Sequence, residues 1–397
     1  MERLMKQDKM LDIMRFHGVA KPMRGTGTNG RIVNADYEDA IGDHFYARNF
    51  EGHWDCEDAR HMAMRRSIRP MKAYRFNELS TDIQNDLFAD DNGWIAEKKY
   101  DGWRIIITHI PGDRLHFFGG NLSTTEFLPV DYTYHLPGQR LTHPVSLILD
   151  TEAVCYETVT QQDGYPSTNT REAVVAILGS GIDVAKAHQL SATVVFKCFD
   201  EMYNTDVSLS HRKKSLSDVD LTATNITKVR FYKENKKKAL MRVWKEGGEG
   251  MIFKNLSAGY DSGGRKRTHC IKIKKTASSL IGDTIDAFIS GYTLTDVHSY
   301  NDLIGGVELS VYIQNKAHVI ATVTNMPDHM RYALTEIKKG LPVMVQSAYD
   351  KVLEIDGQEI SSRNRKLMHA TVVSWDFRQD KSPNDCTMDE VDFGSKF

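Results

Sequence analysis

Hydrophobic and polar positions change rhythm several times along the chain, and each change marks an element. WIAEKKYDGWRIIIT, from Trp94 to Thr108, alternates through a strand, breaks at Asp101–Gly102 and resumes as a second strand. VSLILDTEAVCY, ATVVFKCFD, EGMIFKN and HCIKIKK are further β-rich runs. Between them the period lengthens. Thr81 and Gln84 form a capping box for a helix through Leu87, and NTREAVVAIL carries an N-cap signal and a helical run. KENKKKALMRVWKE puts Ala239, Leu240, Val243 and Trp244 on one helix face, stopped by Gly247 and Gly248. Ahead of these, Leu4, Leu11 and Met14 can share a helix face.

Beyond residue 281 the period is mostly two. Val307, Leu309, Val311 and Ile313 alternate with polar residues, and Val319, Ala321 and Val323 do so again after a turn near Asn315 and Lys316. A helix is expected through MPDHMRYALTEIKKG with Gly340 as its stop, and VMVQSAYDKVLEI and HATVVSWDF add two more strands. Four or five short strands around one helix suit a small β-barrel of the oligonucleotide-binding type. The pattern divides the chain into a short N-terminal segment (1–70), a mixed α and β region (71–280) and the barrel (281–397), with a pivot expected near 276–283.

Composition narrows the class. With 397 residues, 41% hydrophobic and 26% charged, the chain is long enough for two or three domains and is not disordered as a whole. No apolar run approaches the roughly 18–20 residues of a membrane-spanning helix. The charged start MERLMKQDKMLDIMRF is unlike a signal peptide, so an intracellular, membrane-free protein is expected. Cys56, Cys155, Cys198, Cys270 and Cys386 form no CxxC pair, which argues against a structural zinc site and a disulfide framework. The net charge of −2 argues against a nucleic-acid partner until it is resolved along the chain. Residues 228–275 hold 15 basic and 4 acidic side chains, a net of +11, and the remainder carries −13. The clusters Lys236, Lys237, Lys238 and Arg265, Lys266, Arg267 are either solvated faces or the footprint of a polyanion.

The candidate chemistry centres on KYDGWR at 99–104. Gly25, Gly27 and Gly30 spell GxGxxG, but neither a preceding apolar strand nor a following helix in RIVNADY supports a dinucleotide site, and a loop is the better reading. On the strand that leads into KYDGWR, Glu97 and Lys99 share a face and Lys98 points the other way. A deprotonated lysine amine can attack phosphorus, and nearby cations or burial favour that form. Taken alone, the hexapeptide can equally be an exposed hairpin. Downstream, Glu152 and Glu249 are carboxylates suited to a hard divalent cation. Lys272 and Lys274, two apart, can grip a phosphate from one strand face or be simple surface charges. Phe199 is either a core ring or a stacking platform for a base.

The ordered set KYDGWR, LDTEAV, CFD, EGMIFK and IKIKK resembles motifs I, III, IIIa, IV and V of the covalent nucleotidyltransferases. FRQDK at 377–381 resembles motif VI, and IKIKK…GDTIDAFISGY is similar to the junction between catalytic and barrel domains of ATP-dependent DNA ligases. The resemblance covers roughly residues 70–395, and the compactness of the chain resembles that of viral and phage ligases. It implies an α+β fold: a nucleotidyltransferase (adenylation) domain with antiparallel sheets, followed by an OB-fold barrel. The implied reaction seals nicks in duplex DNA with ATP and magnesium, in replication, recombination and repair, by a monomer. By resemblance, Lys99 is adenylated, Arg104 contacts ribose, Glu97 the adenine edge, and Phe199 stacks on adenine. Glu152 binds ribose or metal, Glu249 magnesium, and Lys272 and Lys274 the α-phosphate. Arg378, Asp380 and Lys381 orient the pyrophosphate leaving group. Lys254 has no role assigned, and strand parity puts it opposite Glu249.

Two departures stand out. Where relatives often read Ser-Arg-Asn, this chain has Gly119-Gly120-Asn121, and where they read His-Pro it has His369-Ala370. An RNA ligase or capping guanylyltransferase of the same superfamily is the leading alternative. An NAD-dependent ligase would bring a further N-terminal domain and a four-cysteine zinc site. A catalytically dead nick-binding protein would be expected to have lost Lys99, Lys272 and Lys274.

Overall fold

Three helices open the chain: α1 (Glu2–His17), α2 (Asn34–Asn49), which begins inside RIVNADY where no helix was expected, and α3 (Glu57–Arg66). The computed structural model describes all residues except 1, 27–31, 158–169, 191, 247, 275–283, 296–301, 358–365, 368–369 and 389–397. The expected pivot at 276–283, Gly27, Gly30, Gly247 and His369 therefore lie outside the described residues, as does the side chain of Leu4. On α1 the buried face is carried by Met10 and Met14, one turn apart, with Leu11 only half-buried. They pack on Tyr37, Ile41 and Phe45 of α2 and on Phe127 and Leu128.

Strands β1 (Tyr74–Arg75), β2 (Trp94–Lys99), β3 (Trp103–His109), β4 (His116–Leu122) and β5 (Pro129–Asp131) follow, with α4 (Thr81–Ala89) after β1. Then come β6 (Leu147–Glu157), α5 (Thr170–Leu178), α6 (Ile182–His188), β7 (Ala192–Glu201), α7 (Leu209–Asp218), β8 (Ile226–Lys228), β9 (Phe231–Tyr232), α8 (Lys236–Lys245), β10 (Gly250–Asn255) and β11 (Cys270–Lys274). The helix cap at α4 lies one residue earlier than the expected Thr81. Ser80 occupies it, and the Gln84 amide donates instead to the carbonyls of Phe76 (3.1 Å) and Leu79 (3.1 Å).

These strands build two sheets, in the orders β1-β11-β10-β2-β9 and β5-β4-β3-β6-β7-β8. The expected strand–turn–strand at 94–108 is therefore not a hairpin: β2 ends in one sheet and β3 begins in the other. Most pairings are antiparallel; β1 with β11 and β7 with β8 are parallel. Alternation gives each sheet two different faces. Ala96, Met251, Phe253, Ile271 and Ile273 pack against α4 and α8, and Ile105, Ile107, Phe117, Leu149, Ala153 and Phe196 pack under α5 and α6. The remaining faces look into a cleft between the sheets, closed at one side by Ile68, Met71, Ile106, Ile148, Met202 and Tyr260.

α3 is fastened to β3 and β4 by histidines. The rings of His61 and His116 are fully buried and stack at 4.0 Å with 10° between planes. His61 Nδ1 lies 2.7 Å from the Thr108 hydroxyl. Burial, reinforced by His116, lowers the His61 pKa from 6.5 to about 3. The folded protein thus resists a proton that the unfolded chain accepts. Stability carried here is intact above about pH 6.5 and is lost as pH falls from there toward 3. We expect His61→Gln to flatten the acid limb of a urea-midpoint-versus-pH curve over that window; a limb as steep as wild type would contradict this.

The chain divides into two compact units, Met1–Ile273 and Lys274–Phe397. The second unit holds β12 (Ile285–Thr293), β13 (Gly306–Ile313), β14 (Lys316–Val323), a helix (Asp328–Leu334), β15 (Thr335–Lys338), β16 (Leu341–Met344), β17 (Val352–Asp356) and β18 (Thr371–Val372). Five of these form an antiparallel sheet, β14-β13-β12-β17-β18, over one apolar core, and β15-β16 is a separate hairpin. The β13–β14 turn uses Gln314 and Asn315, both at positive φ. The helix expected to reach Gly340 stops at Leu334. Thr335 and Ile337 go into β15, and Lys339–Gly340 (φ 54° and 76°) make a tight turn that pairs them with β16. Among the described residues, no helix is long and apolar enough to cross a membrane.

Candidate active site

Lys99 is the last residue of β2, where the chain leaves one sheet for the other. Gly102 permits the crossing. A Cβ there would stand 2.1 Å from the carbonyl oxygen of Ala153 and 2.9 Å from the Glu152 side chain. The motif glycine is thus required by close approach of β6. Across β2, Gly250 pairs with Lys99 and Ile252 with Glu97, so Glu97, Lys99, Ile252 and Lys254 share one face. From the other sheet, Arg104, Glu152 and Phe199 face them, and Lys272 of β11 completes a cavity of about 180 Å³.

Glu249 meets Lys99 in an ion pair. Strand parity would send Glu249 to the face opposite Lys254, but Gly250 has φ 150°, which turns the chain and returns Glu249 to the Lys99 side. Lys254, unassigned from sequence, is a member of the site. Its ammonium sits 2.9 Å from Glu97 and 4.4 Å from the centre of the Phe199 ring, and donates to the Phe199 carbonyl at 2.9 Å. Lys213 of α7 also pairs with Glu97 and donates to the same carbonyl at 2.8 Å. A buried carboxylate held by two lysines is a fixed, charged acceptor. Phe199 is half-buried and belongs to no apolar cluster, so its ring is a cavity wall rather than core.

Arg104 is gripped by Asp150, with its Nε donating at 2.8 Å, and it donates to the Met71 carbonyl at 2.6 Å. The Tyr260 hydroxyl donates to Asp150 at 2.7 Å and accepts from Arg104 at 3.2 Å. Behind Phe199, Asp200 and Arg212 form a fully buried pair. Sequence reasoning missed Asp150, Lys213 and Tyr260. Asp150 was discoverable, lying two residues before Glu152 on the same strand face, whereas nothing in SHRKKS or AGYDS marks the other two. Glu152 has its pKa raised from 4.5 to about 7 by burial, which outweighs Lys99 and Arg104 and is aided by Glu249 and Asp150. This crowding of carboxylates is one that a cation would relieve.

Glu97, Lys99, Arg104, Glu152, Phe199 and Lys272 thus line one cavity with Glu249 on Lys99, while Lys274, on the same strand face as Lys272, does not line it. Arg378, Asp380 and Lys381 belong to the second unit. There Arg378 chelates Asp380 (2.9 and 2.8 Å) and lies 3.3 Å from Asp286, which Lys381 approaches at 3.5 Å. The hydrogen bond from Arg378 holds the Asp380 pKa down to about 2.

A second cluster, Glu57, His61 and His116, brings potential ligand atoms within 4.8 Å of one another. The stacked rings keep their nitrogen lone pairs in nearly parallel planes, which cannot converge on one ion, so the stack is a fastening.

The basic window is not uniform. Lys236 is buried, paired with Asp91 at 2.6 Å and donating to the carbonyls of Asp90 and Lys233. Lys237 and Lys238 are exposed. Lys236→Ala should therefore destabilise the protein by about 1–3 kcal/mol. Lys237→Gln with Lys238→Gln should instead lower the salt dependence of DNA binding with little change in urea midpoint. Equal effects of the two changes on the midpoint would refute the distinction.

A cavity between two antiparallel-rich sheets, walled by a lysine-ended strand and fixed cations, defines a nucleotidyltransferase-type ligase domain. The chain belongs to the ATP-dependent DNA ligases: the family model described as ATP dependent DNA ligase domain matches residues 70–274, just over half its length. The fold is shared with a Lig E DNA ligase described as binding DNA with a minimal scaffold, at 14% identity, TM-score 0.50, covering 78% of this chain and 99% of that one. A second solved structure, Pmar-Lig PreS3, aligns at 12% identity, TM-score 0.52, covering 86% of this chain and 72% of that one.

Proposed function

We propose that this enzyme seals nicks in duplex DNA through a lysyl-AMP on Lys99 and a 5′-adenylated DNA strand. The observation that carries the reading is the placement of Lys99 at the mouth of the cavity, against Glu249, opposite Arg104 and Phe199. The Lys99 amine attacks the α-phosphorus of ATP, an N–P bond forms, and the bond to the β-phosphate oxygen breaks to release pyrophosphate. Glu249 is the nearest acceptor for the amine proton. AMP then passes to the 5′-phosphate at the nick, and the 3′-hydroxyl displaces it. Each step is an in-line displacement that needs positioning and positive charge.

In this reading Phe199 stacks on the base, with Lys254 behind its ring. Glu97, fixed by Lys213 and Lys254, accepts from the base edge, and Arg104 is held by Asp150 to meet the ribose. Lys272 meets the α-phosphate from the cavity wall, and Lys274, on the same strand face but outside the cavity, acts on it through its charge. Arg378, Asp380 and Lys381 orient the leaving pyrophosphate, Asp380 keeping the Arg378 fork in one plane. Glu152 and Glu249 would hold magnesium: both offer hard carboxylate oxygens beside Lys99, and the Glu249 charge adds to burial in raising the Glu152 pKa, a repulsion that a cation would offset. The ion would supply charge neutralisation on the phosphates. We assign residues 1–70, 71–280 and 281–397 to an accessory segment, the adenylation domain and the barrel, acting together as a monomer.

The test is incubation with magnesium and α-labelled ATP, GTP or NAD. ATP alone should give a covalent band, stable to alkali and labile to acid, and labelling from GTP or NAD instead would overturn the assignment. Nicked duplexes with DNA or RNA on either side of the break then identify the substrate, exclusive joining of single-stranded RNA ends being the adverse result. Glu152 adds a pH signature. Its folded pKa lies above its unfolded one, so its contribution to stability is full below about pH 4.5 and is lost as pH rises through about 7. Glu152→Gln should remove that decline between pH 5 and 8 in urea midpoints, and an unaltered decline would show that another group causes it.

A further inference from the structure

A second cavity, of about 400 Å³, lies where the N-terminal helices meet the end of β4. Lys9 of α1, Arg65 of α3, Arg69 and Lys72 line it, against one carboxylate, Glu38. Glu38 is already committed to Arg69 at 2.8 Å, and Arg69 also holds Asp39 at 2.7 Å. Lys9 and Lys72 are exposed.

Arg65 is the unusual member. Its side chain is about 1% exposed, yet it has no carboxylate partner among the described residues. It donates to the carbonyls of Ile68 (2.8 Å), Gly119 (3.0 Å) and Gly120 (3.3 Å), and its Nε is buried without a hydrogen-bond acceptor. Burial lowers its pKa to about 10, so it keeps its charge at neutral pH. A buried guanidinium whose hydrogen bonds go only to carbonyls, and which feels Asp150 only through space, would gain from an anion in the cation-rich cavity above it.

The position of the cavity indicates which anion. Pro70 and Lys72 face it, while Met71 and Ala73 line the nucleotide cavity, so a single stretch of chain separates the two. Lys9, Arg65 and Arg69 lie outside the matched ligase region at 70–274. The cationic wall is therefore largely the contribution of the N-terminal segment.

We propose that this cavity binds a backbone phosphate of the nicked duplex, with Arg65 as its floor and Lys9, Arg69 and Lys72 as its rim. The N-terminal segment thereby becomes part of the DNA-binding surface. The proposal rests on the ligase reading for the identity of the polyanion.

Binding of a nicked duplex by the full-length protein, followed by fluorescence anisotropy over a salt series, tests it. Lys9→Gln combined with Lys72→Gln should weaken binding about 10-fold at 0.1 M salt and reduce the slope of log K against log salt by about 1. Lys186→Gln, an exposed lysine on α6 away from the cavity, should leave the slope at the wild-type value. A double variant with wild-type affinity and slope overturns the proposal, as does an equal loss in the Lys186→Gln control. Covalent labelling of the wild-type preparation is read separately. No labelling, with the salt difference present, sinks the ligase chemistry and leaves the phosphate cavity standing. Labelling with no salt difference sinks the cavity alone.

Discussion

Lys99→Ala is expected to reduce covalent labelling by ATP at least about 1000-fold, because the neighbouring amine on β2, Lys98, belongs to the opposite strand face, paired with Met251, and the reaction has no route around the missing N–P bond. Lys99→Arg should fail equally, since a guanidinium stays protonated at neutral pH and cannot act as the nucleophile. The loss should be confined to the steps that need the amine. A duplex supplied with a preformed 5′-adenylate at the nick should still be joined by Lys99→Ala, as Arg104, Lys254 and Lys272 remain to receive the nucleotide. Gel separation of joined from unjoined strands reads both arms. Strong labelling of Lys99→Ala would place the nucleophile elsewhere.

Gly102→Ala should have the next largest effect. The added methyl would lie 2.1 Å from the Ala153 carbonyl oxygen, inside any van der Waals contact, and the obstacle is backbone rather than a movable side chain. The segment between Lys99 and Arg104 must then shift by something like 1 Å. Displacements of that size cost about 100-fold in rate where catalysis is positional. Self-adenylation should fall by that order, and the melting temperature should drop as β3 loses its seat beside β6. An alanine variant with full labelling would mean that the crossing is more compliant than its geometry.

These two residues also show how far the sequence could be read. KYDGWR was legible because its side chains are adjacent, and alternation correctly paired Glu97 with Lys99. The crossing between sheets was not legible: a strand, a tight turn and a strand look alike whether the second strand returns to the first or joins another sheet. Parity failed at Glu249 for a local reason, the φ of 150° at Gly250, which no hydrophobic pattern encodes. Lys213 and Tyr260 reach the site from α7 and from a loop, so only the tertiary fold brings them to Glu97 and Asp150. The helix expected to end at Gly340 failed because the rhythm around Thr335–Lys338 suits helix and strand alike over so few residues. Lys236 looked like its neighbours Lys237 and Lys238 because charge alone does not report burial.

The arginine network around Arg104 bears on how the enzyme comes into being. Met71, Arg104, Asp150 and Tyr260 are joined by hydrogen bonds, and Tyr74 pairs in parallel with Ile271, so the nucleotide cavity is assembled from segments almost two hundred residues apart. Contacts of such long range form late, after local helices and hairpins. A chain emerging from the ribosome should therefore carry Lys99 for most of its synthesis without a place to hold ATP, and should acquire nucleotide affinity only once β11 has docked. Fragments ending before Cys270 should fold in part yet take up no AMP, which makes the covalent adenylate a reporter of completed folding as well as of chemistry.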